Sequence, residues 1–300
     1  MVLKSTLTKR VFFGALMILL FTALLVFEGW LSCRNYFSDR GEWAGVGIAF
    51  LAVVILGLGG LELCKFARLK TIEPPTPILI VFIILIITEP FWSNLIHTSQ
   101  KVLPGQAVLA LVLILGLFLA AIYKAFHSGT KNTMSQLGLA CLAIIYLGLG
   151  GWFIVQIRLL GRTGETIWSQ IAPIVVFLTC VKFCDIGAYF TGRFLGRHLW
   201  APSISPKKTW EGFFGGIIVA VTVASLFAHF SAIMGIGRAV VFGMVAAVAG
   251  QLGDLLESML KRDAGSKDSA SLIPEFGGVL DLLDSVLVAA PLAYLVLGWP

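Results

Sequence analysis

The chain has 300 residues, of which 58% are hydrophobic and only 13% charged, and its mean hydropathy is +0.94. A soluble domain carries about 25% charged residues, so a water-soluble globule is excluded and the chain reads as an all-α, polytopic integral membrane protein. A net charge of +6 would suggest nucleic-acid binding in a soluble protein; in a membrane protein the positive-inside rule accounts for it.

Apolar stretches long enough to span a bilayer, or nearly so, recur nine times, at about 11–28, 44–61, 77–93, 102–123, 134–157, 166–184, 212–233, 236–256 and 279–297. The first lacks a small-residue cleavage site and reads as a membrane helix, not a removable signal. The third is short and holds Glu89-Pro90, which predicts a kinked or re-entrant segment. The five cysteines (Cys33, Cys64, Cys141, Cys180, Cys184) show no metal-site spacing and read as small apolar fillers. Sixteen of the 22 Lys and Arg residues fall on the side that holds the N-terminus, the 182–211 segment and the 257–275 segment. That bias predicts a cytoplasmic N-terminus and, after nine spans, an external C-terminus. Residues 1–160 read as membrane scaffold helices. Residues 161–300, where the unusual polar residues collect, read as the catalytic membrane region.

Three polar constellations stand out there. In the stretch from Gly250 to Asp284, helical spacing puts Gln251, Asp254, Ser258 and Lys261 on one face, with Arg262 beside it and Leu252, Leu255, Leu256 and Met259 opposite. Such a stripe faces a bundle interior or a wet cavity, or else is a solvated helix end with snorkelling cations. Asp281 and Asp284 also share a helix face, just after Gly277-Gly278. A carboxylate deep in a bilayer costs about 2.5–3.5 kcal/mol on insertion scales. A hard divalent ion held with Asp254 would offset that cost; pairing with Lys261 or Arg262 would do so without metal.

The second constellation is SISPKKTWEGFFGG, Ser203 to Gly216. Here Pro206 interrupts any helix, and Ser205, Lys207, Lys208, Thr209 and Glu211 follow one another as the chain re-enters the membrane. This is either a basic loop for anionic headgroups or a polyphosphate clamp; the spacing is not that of a Walker loop. The third is KFCDIGAYFTGRFLGR, Lys182 to Arg197. It places Asp185 at the end of an apolar helix and puts Arg193 and Arg197 four residues apart, where they could grip phosphate. Gly192 and Gly196 have the GxxxG spacing of close helix packing. GxSxG and HExxH are absent, and the four histidines are scattered, so hydrolytic triads, haem and zinc find no support. Carboxylates able to hold Mg²⁺ among Lys and Arg suit phosphoryl or nucleotidyl transfer. Their place at a membrane face points to one lipid and one water-soluble reactant.

The run Ser258-Met-Leu-Lys261-Arg262, then Lys267-Asp268, Ile273-Pro274, Gly277-Gly278-Val279 and Asp281…Asp284 closely resembles the C-terminal motif of the phosphatidate cytidylyltransferases (CDP-diacylglycerol synthases). The SPKKTWEG block and the Asp185…Gly192-Arg193 segment are also similar to that family, so the resemblance covers about residues 180–290. It implies condensation of CTP with phosphatidate to CDP-diacylglycerol and pyrophosphate in phospholipid biosynthesis, with the active site at the cytoplasmic face of a bacterial inner membrane. It further implies Mg²⁺ as cofactor and leaves open a monovalent cation such as K⁺. Metal binding is carried to Asp254, Asp281 and Asp284. Catalytic contacts are carried to Ser258, Lys261, Arg262, Lys267 and Asp268. Substrate contacts are carried to Ser205, Lys207, Lys208, Thr209, Glu211, Asp185 and Arg193. Two positions depart from the family's pattern: Phe276 stands where it has His, and Leu282 where it has Arg. The partners expected are CTP, phosphatidate and membrane lipid, with no nucleic acid; a homodimer is compatible. The competing readings are a CTP-dependent lipid (polyprenol-type) kinase, which would release CDP, and an ion-coupled transporter, which would predict broken helices in two matching halves.

Overall fold

The computed structural model describes residues 2–33, 44–100, 105–127, 129–161, 166–231, 234–265 and 278–298, without the side chains of 2–13, 33 and 94–100. The helices are α1 (Val2–Cys33), α2 (Val46–Leu69), α3 (Thr76–Gln100), α4 (Gly105–His127), α5 (Thr133–Leu142), α6 (Gly150–Leu159), α7 (Ile167–Leu195), α8 (Trp210–Ser231), α9 (Ile236–Asp263) and α10 (Val279–Leu297). A π-helical segment, Ala143–Leu149, joins α5 to α6 without a break. The described residues thus contain nine helices, or continuous helical runs, long and apolar enough to cross a membrane, each coinciding with one of the nine predicted stretches. Beyond helices, the described residues show one isolated antiparallel bridge, Leu199 with Thr209.

All-helical architecture follows from the solvent. In hydrocarbon every backbone N–H and C=O needs a partner inside its own segment. Leu56, Ile83, Ile86, Ile144, Leu147, Phe177 and Phe242 are buried in the bundle, whereas Ile18, Phe50, Phe118 and Ile218 are exposed on its outside. Apolar side chains outside as well as inside are what a lipid-facing bundle requires. Both halves of the chain share one core, in which Leu56 and Leu147 join Leu280 and Leu287.

Helix α3 runs through Pro90 as one continuous segment. The adjoining turns gain side-chain donors, with Trp92 Nε1 bonding the Leu85 carbonyl at 3.2 Å and Thr88 Oγ1 bonding the Ile84 carbonyl at 2.8 Å. One expectation needs correction: α7 does not end near Asp185 but continues for ten residues. Its glycines are packing notches, not breaks: a Cβ at Gly187 would lie 2.7 Å from Val219 of α8. Helix α9 carries the whole Gln251-to-Lys261 stripe, as its spacing predicts, and stops at Asp263. Gly265 follows at φ +68°, a left-handed value that glycine adopts without strain.

Three carboxylates of the first half are buried, and each has found a donor. Glu28 of α1 accepts from Arg158 Nε at 3.2 Å and from Gly47 N at 2.9 Å. Arg158, fully buried, also donates to the Gln170 carbonyl at 3.0 Å. Glu89 accepts from Trp152 Nε1 at 2.7 Å. Glu62 accepts from the backbone of α10.

Candidate active site

The site lies where α2 and α9 end and α10 begins. Lys70, which caps α2, meets Asp263 at the end of α9 at 2.8 Å. Arg262 Nε donates to the Ile204 carbonyl in the α7–α8 connection at 3.3 Å. The polar stripe of α9 faces inward as its spacing predicts: Gln251 is buried and donates to the Phe213 carbonyl at 3.1 Å. Leu252 and Met259, on the other face, are exposed. Ser258 is half-buried on the same side as Asp254.

Glycine brings α9 and α10 together. A Cβ at Gly253 would run into the Asp284 carbonyl, so only glycine permits this approach of two backbones. As a result Asp254 lies close enough to Asp284 of α10 and Asp185 of α7 for their charges to interact.

The acidic groups are held by three lysines. Lys208 Nζ lies 3.2 Å from Asp254 Oδ2 and 5.7 Å from the centre of the Trp200 ring. Lys261 Nζ touches Glu257 Oε2 at 2.7 Å and also Asp281 Oδ1. Lys182 Nζ lies 3.6 Å from Asp185 Oδ2 and donates to the Leu282 carbonyl at 3.0 Å. Ser285 Oγ stands 2.9 Å from Asp284 Oδ1 and 3.1 Å from Asp185 Oδ2; its single proton serves one of them at a time. Asp281 and Asp284 therefore share a helix face but not their partners. One turns to Lys261, the other to Ser285.

The α7–α8 connection is built to present Lys208. Thr209 caps α8, its Oγ1 accepting from Gly212 N at 3.2 Å. Glu211 locks the connection from the first turn of α8: Oε1 lies 2.6 Å from His198 Nδ1, and Oε2 accepts from His198 N at 3.2 Å. The Trp200 and Trp210 amides bond the Lys208 and His198 carbonyls at 3.1 and 2.8 Å. Ser205 lies in the turn, its carbonyl accepting from Lys208 N at 3.2 Å. Lys207 is exposed. Arg193 does not join the lysine nodes; it bonds Tyr189 Oη one turn back on α7 at 2.8 Å. Lys267, Asp268 and Phe276 lie outside the described residues.

Sequence reasoning missed four contributors. Glu257 is buried; its spacing, three residues after Asp254 and four before Lys261, was a usable signal. Lys182 was counted only as a topogenic charge. Glu62 gave no signal, because its partner lies more than 200 residues away. Tyr146 sits on the π-helical segment, a feature frequent at functional sites. It is buried, its Oη has no hydrogen-bond partner, and the charges of Asp284, Glu257, Asp254 and Asp281 bear on it.

The donor set suits a hard cation. Asp185, Asp254, Glu257, Asp281 and Asp284 face Lys182, Lys208 and Lys261, which leaves two formal negative charges. Among the described residues no three acidic, histidine or cysteine side chains converge as a metal cage.

Comparison with known proteins agrees with this chemistry. The model of the cytidylyltransferase family matches residues 8–299. A phosphatidate cytidylyltransferase of Haemophilus influenzae is 38% identical over 261 residues, 81% of this chain and 86% of its own. That of Bacillus subtilis is 32% identical over 260 residues, 84% and 90% of the two chains. That of Brucella melitensis is 46% identical over 122 residues, 40% and 45% of the two. With the family model covering nearly the whole length and the relatives aligned over four-fifths of it, the chain belongs to the cytidylyltransferase family.

Proposed function

We propose that this membrane enzyme transfers CMP from CTP to phosphatidate, giving CDP-diacylglycerol and pyrophosphate for phospholipid synthesis. The observation that carries the reading is the gathering of carboxylates and lysines from α7, the α7–α8 connection, α9 and α10 at one end of the bundle. The relatives named above support the choice of substrates, and their bacterial sources, with the Lys and Arg bias, support a bacterial inner membrane and a cytoplasmic site.

An ionised oxygen of the lipid phosphate attacks the α-phosphorus of CTP. A bond forms between that oxygen and the α-phosphorus, and the bond from the α-phosphorus to the bridging oxygen breaks. The electron pair leaves with pyrophosphate. A phosphate monoester has its second pKa at about 6, so the nucleophile needs no general base. Lys208, Lys261 and Arg262 neutralise charge on the leaving pyrophosphate, with Lys207 and Lys267 guiding the triphosphate in. Asp185, Arg193 and Ser258 contact substrate, and Thr209, Ser205 and Glu211 hold the lysine-bearing connection in place. Asp254 and Asp281, flanked by Asp284, are the residues that would hold Mg²⁺, which when bound supplies charge neutralisation on the phosphates. K⁺ is a candidate second ion. The first 160 residues act as scaffold and the remainder carries the chemistry.

The test is incubation of purified protein with labelled CTP, phosphatidate and Mg²⁺. Lipid-linked CMP with one pyrophosphate per turnover is expected. Release of CDP would mark a lipid kinase, and no lipid-linked CMP under any condition refutes the assignment. Omitting Mg²⁺, with chelator present, is expected to stop turnover.

A further inference from the structure

Glu62 belongs to the half of the chain read as scaffold, and it is 1% exposed. A carboxylate buried in a membrane bundle needs partners for its charge. Glu62 finds them in backbone. Its Oε1 accepts the N–H of Val279 and its Oε2 that of Leu280, both at 2.9 Å. These residues open α10, where amides have no partner within the helix and the helix dipole is positive. Two bonds from one carboxylate to successive amides fix both the height of α10 and its rotation about its own axis. Asp281 is the next residue. Its Oδ2 accepts from Gly278 N at 3.2 Å while Oδ1 meets Lys261. Asp281 is thus divided between capping its helix and serving the site, and Glu62 takes two amides that would otherwise compete for it.

We propose that Glu62 is a positioning residue for the transfer reaction: α2 holds the start of α10 through this carboxylate and so sets Asp281 and Asp284 against Asp254 of α9. The proposal rests on the functional reading above. Glu62 acts through α10, not by touching substrate.

The test compares Glu62→Gln with Glu89→Gln in the full-length protein. Glutamine fills the same space but turns an NH₂ toward one of the two amides, so one bond is lost and α10 can rotate. Glu89 is an equally buried glutamate of the same half that bonds Trp152 of α6 instead. For Glu62→Gln, kcat per folded enzyme is expected to fall about 10- to 100-fold, the loss typical of a misplacement of about 1 Å. KM for CTP is expected to move less than about twofold. Glu89→Gln is expected to keep its kcat per folded enzyme. A second readout needs no turnover: the shift in thermal unfolding midpoint on adding Mg²⁺ alone, present in the wild type and reduced in Glu62→Gln. A kcat within about twofold of wild type, or a loss matched by Glu89→Gln at equal loss of folded protein, overturns the proposal. If Glu62→Gln does not fold, Glu62→Asp, which keeps the charge but is too short to bridge both amides, decides by the same criteria. A wild type without turnover but with a Mg²⁺ shift refutes the substrate assignment alone and leaves the shift to judge Glu62. A wild type with neither overturns both.

Discussion

Lys261 offers the most direct probe of how the acidic end of the bundle is held together. Its ammonium touches Glu257 Oε2 and Asp281 Oδ1, so these two carboxylate oxygens lie at most about 6 Å apart, twice a hydrogen-bond length. Lys261→Met keeps most of the aliphatic stem and removes the charge. Where both are ionised, the two carboxylates then repel each other by about 3 kcal/mol at an effective dielectric of about 20. Glu257, only 1% exposed, has no water to turn to. The variant should lose about 3 kcal/mol, the low end of the range for breaking a buried pair, because Asp281 keeps 26% of its side chain exposed. The assay is thermal or denaturant unfolding in detergent, without divalent ions. The double variant Glu257→Gln/Lys261→Met removes the repulsion and should recover most of the loss, a coupling that a double-mutant cycle reads directly. Should the double variant be no more stable than Lys261→Met alone, the repulsion is not what Lys261 relieves and the picture of a lysine-held acidic cluster is wrong.

Other substitutions test neighbouring steps. Gly253→Ala puts a methyl group against the Asp284 carbonyl; it should cost about 1–3 kcal/mol by overpacking and lower turnover, measured by unfolding and by the CTP assay together. Arg158→Leu strands the buried carboxylate of Glu28 and should cost about 3–5 kcal/mol, most of it recovered by adding Glu28→Gln. Tyr146→Phe removes a buried hydroxyl that has no partner and should stabilise the protein by about 1 kcal/mol, read as a raised unfolding midpoint. Asp281→Asn should abolish turnover with expression intact, seen by comparing activity per folded enzyme.

The fold was legible because its signals are one-dimensional. Apolar length alone marks a membrane span, and nine stretches became nine spans among the described residues. The inward face of α9 was legible for a related reason: a period of 3.6 residues sorts Gln251, Asp254 and Lys261 from Leu252 and Met259 whatever packs beside them. The length of α7 was not legible, because apolar length stops near Asp185 while the helix runs on to Leu195, packed through Gly187 against Val219 of α8. Periodicity shows which way a side chain points but not what it meets. Hence the stripe on α9 could be drawn and Lys261 offered as a partner for the α10 carboxylates, while which of the two it meets could not.

Two acidic residues can stand at the start of a helix as apolar as α10 because they begin it at its positive end, where α2 and α9 supply the rest. Glu62 takes the first two amides, Lys261 meets Asp281, and Ser285 meets Asp284. Asp281 is stabilised by α9 and the first amides of α10 by α2, whereas Asp284 is met by its own neighbour Ser285. Those same contacts are weak enough individually to be exchanged, since an ammonium on a flexible stem can leave a carboxylate when a triphosphate arrives. In the reading above, Lys208 and Lys261, which neutralise the acidic groups when substrate is absent, turn to phosphate when it binds. On that view the lysines that stabilise the fold and the lysines that bind CTP are the same residues, and stability without substrate and affinity for it should shift together when either is changed.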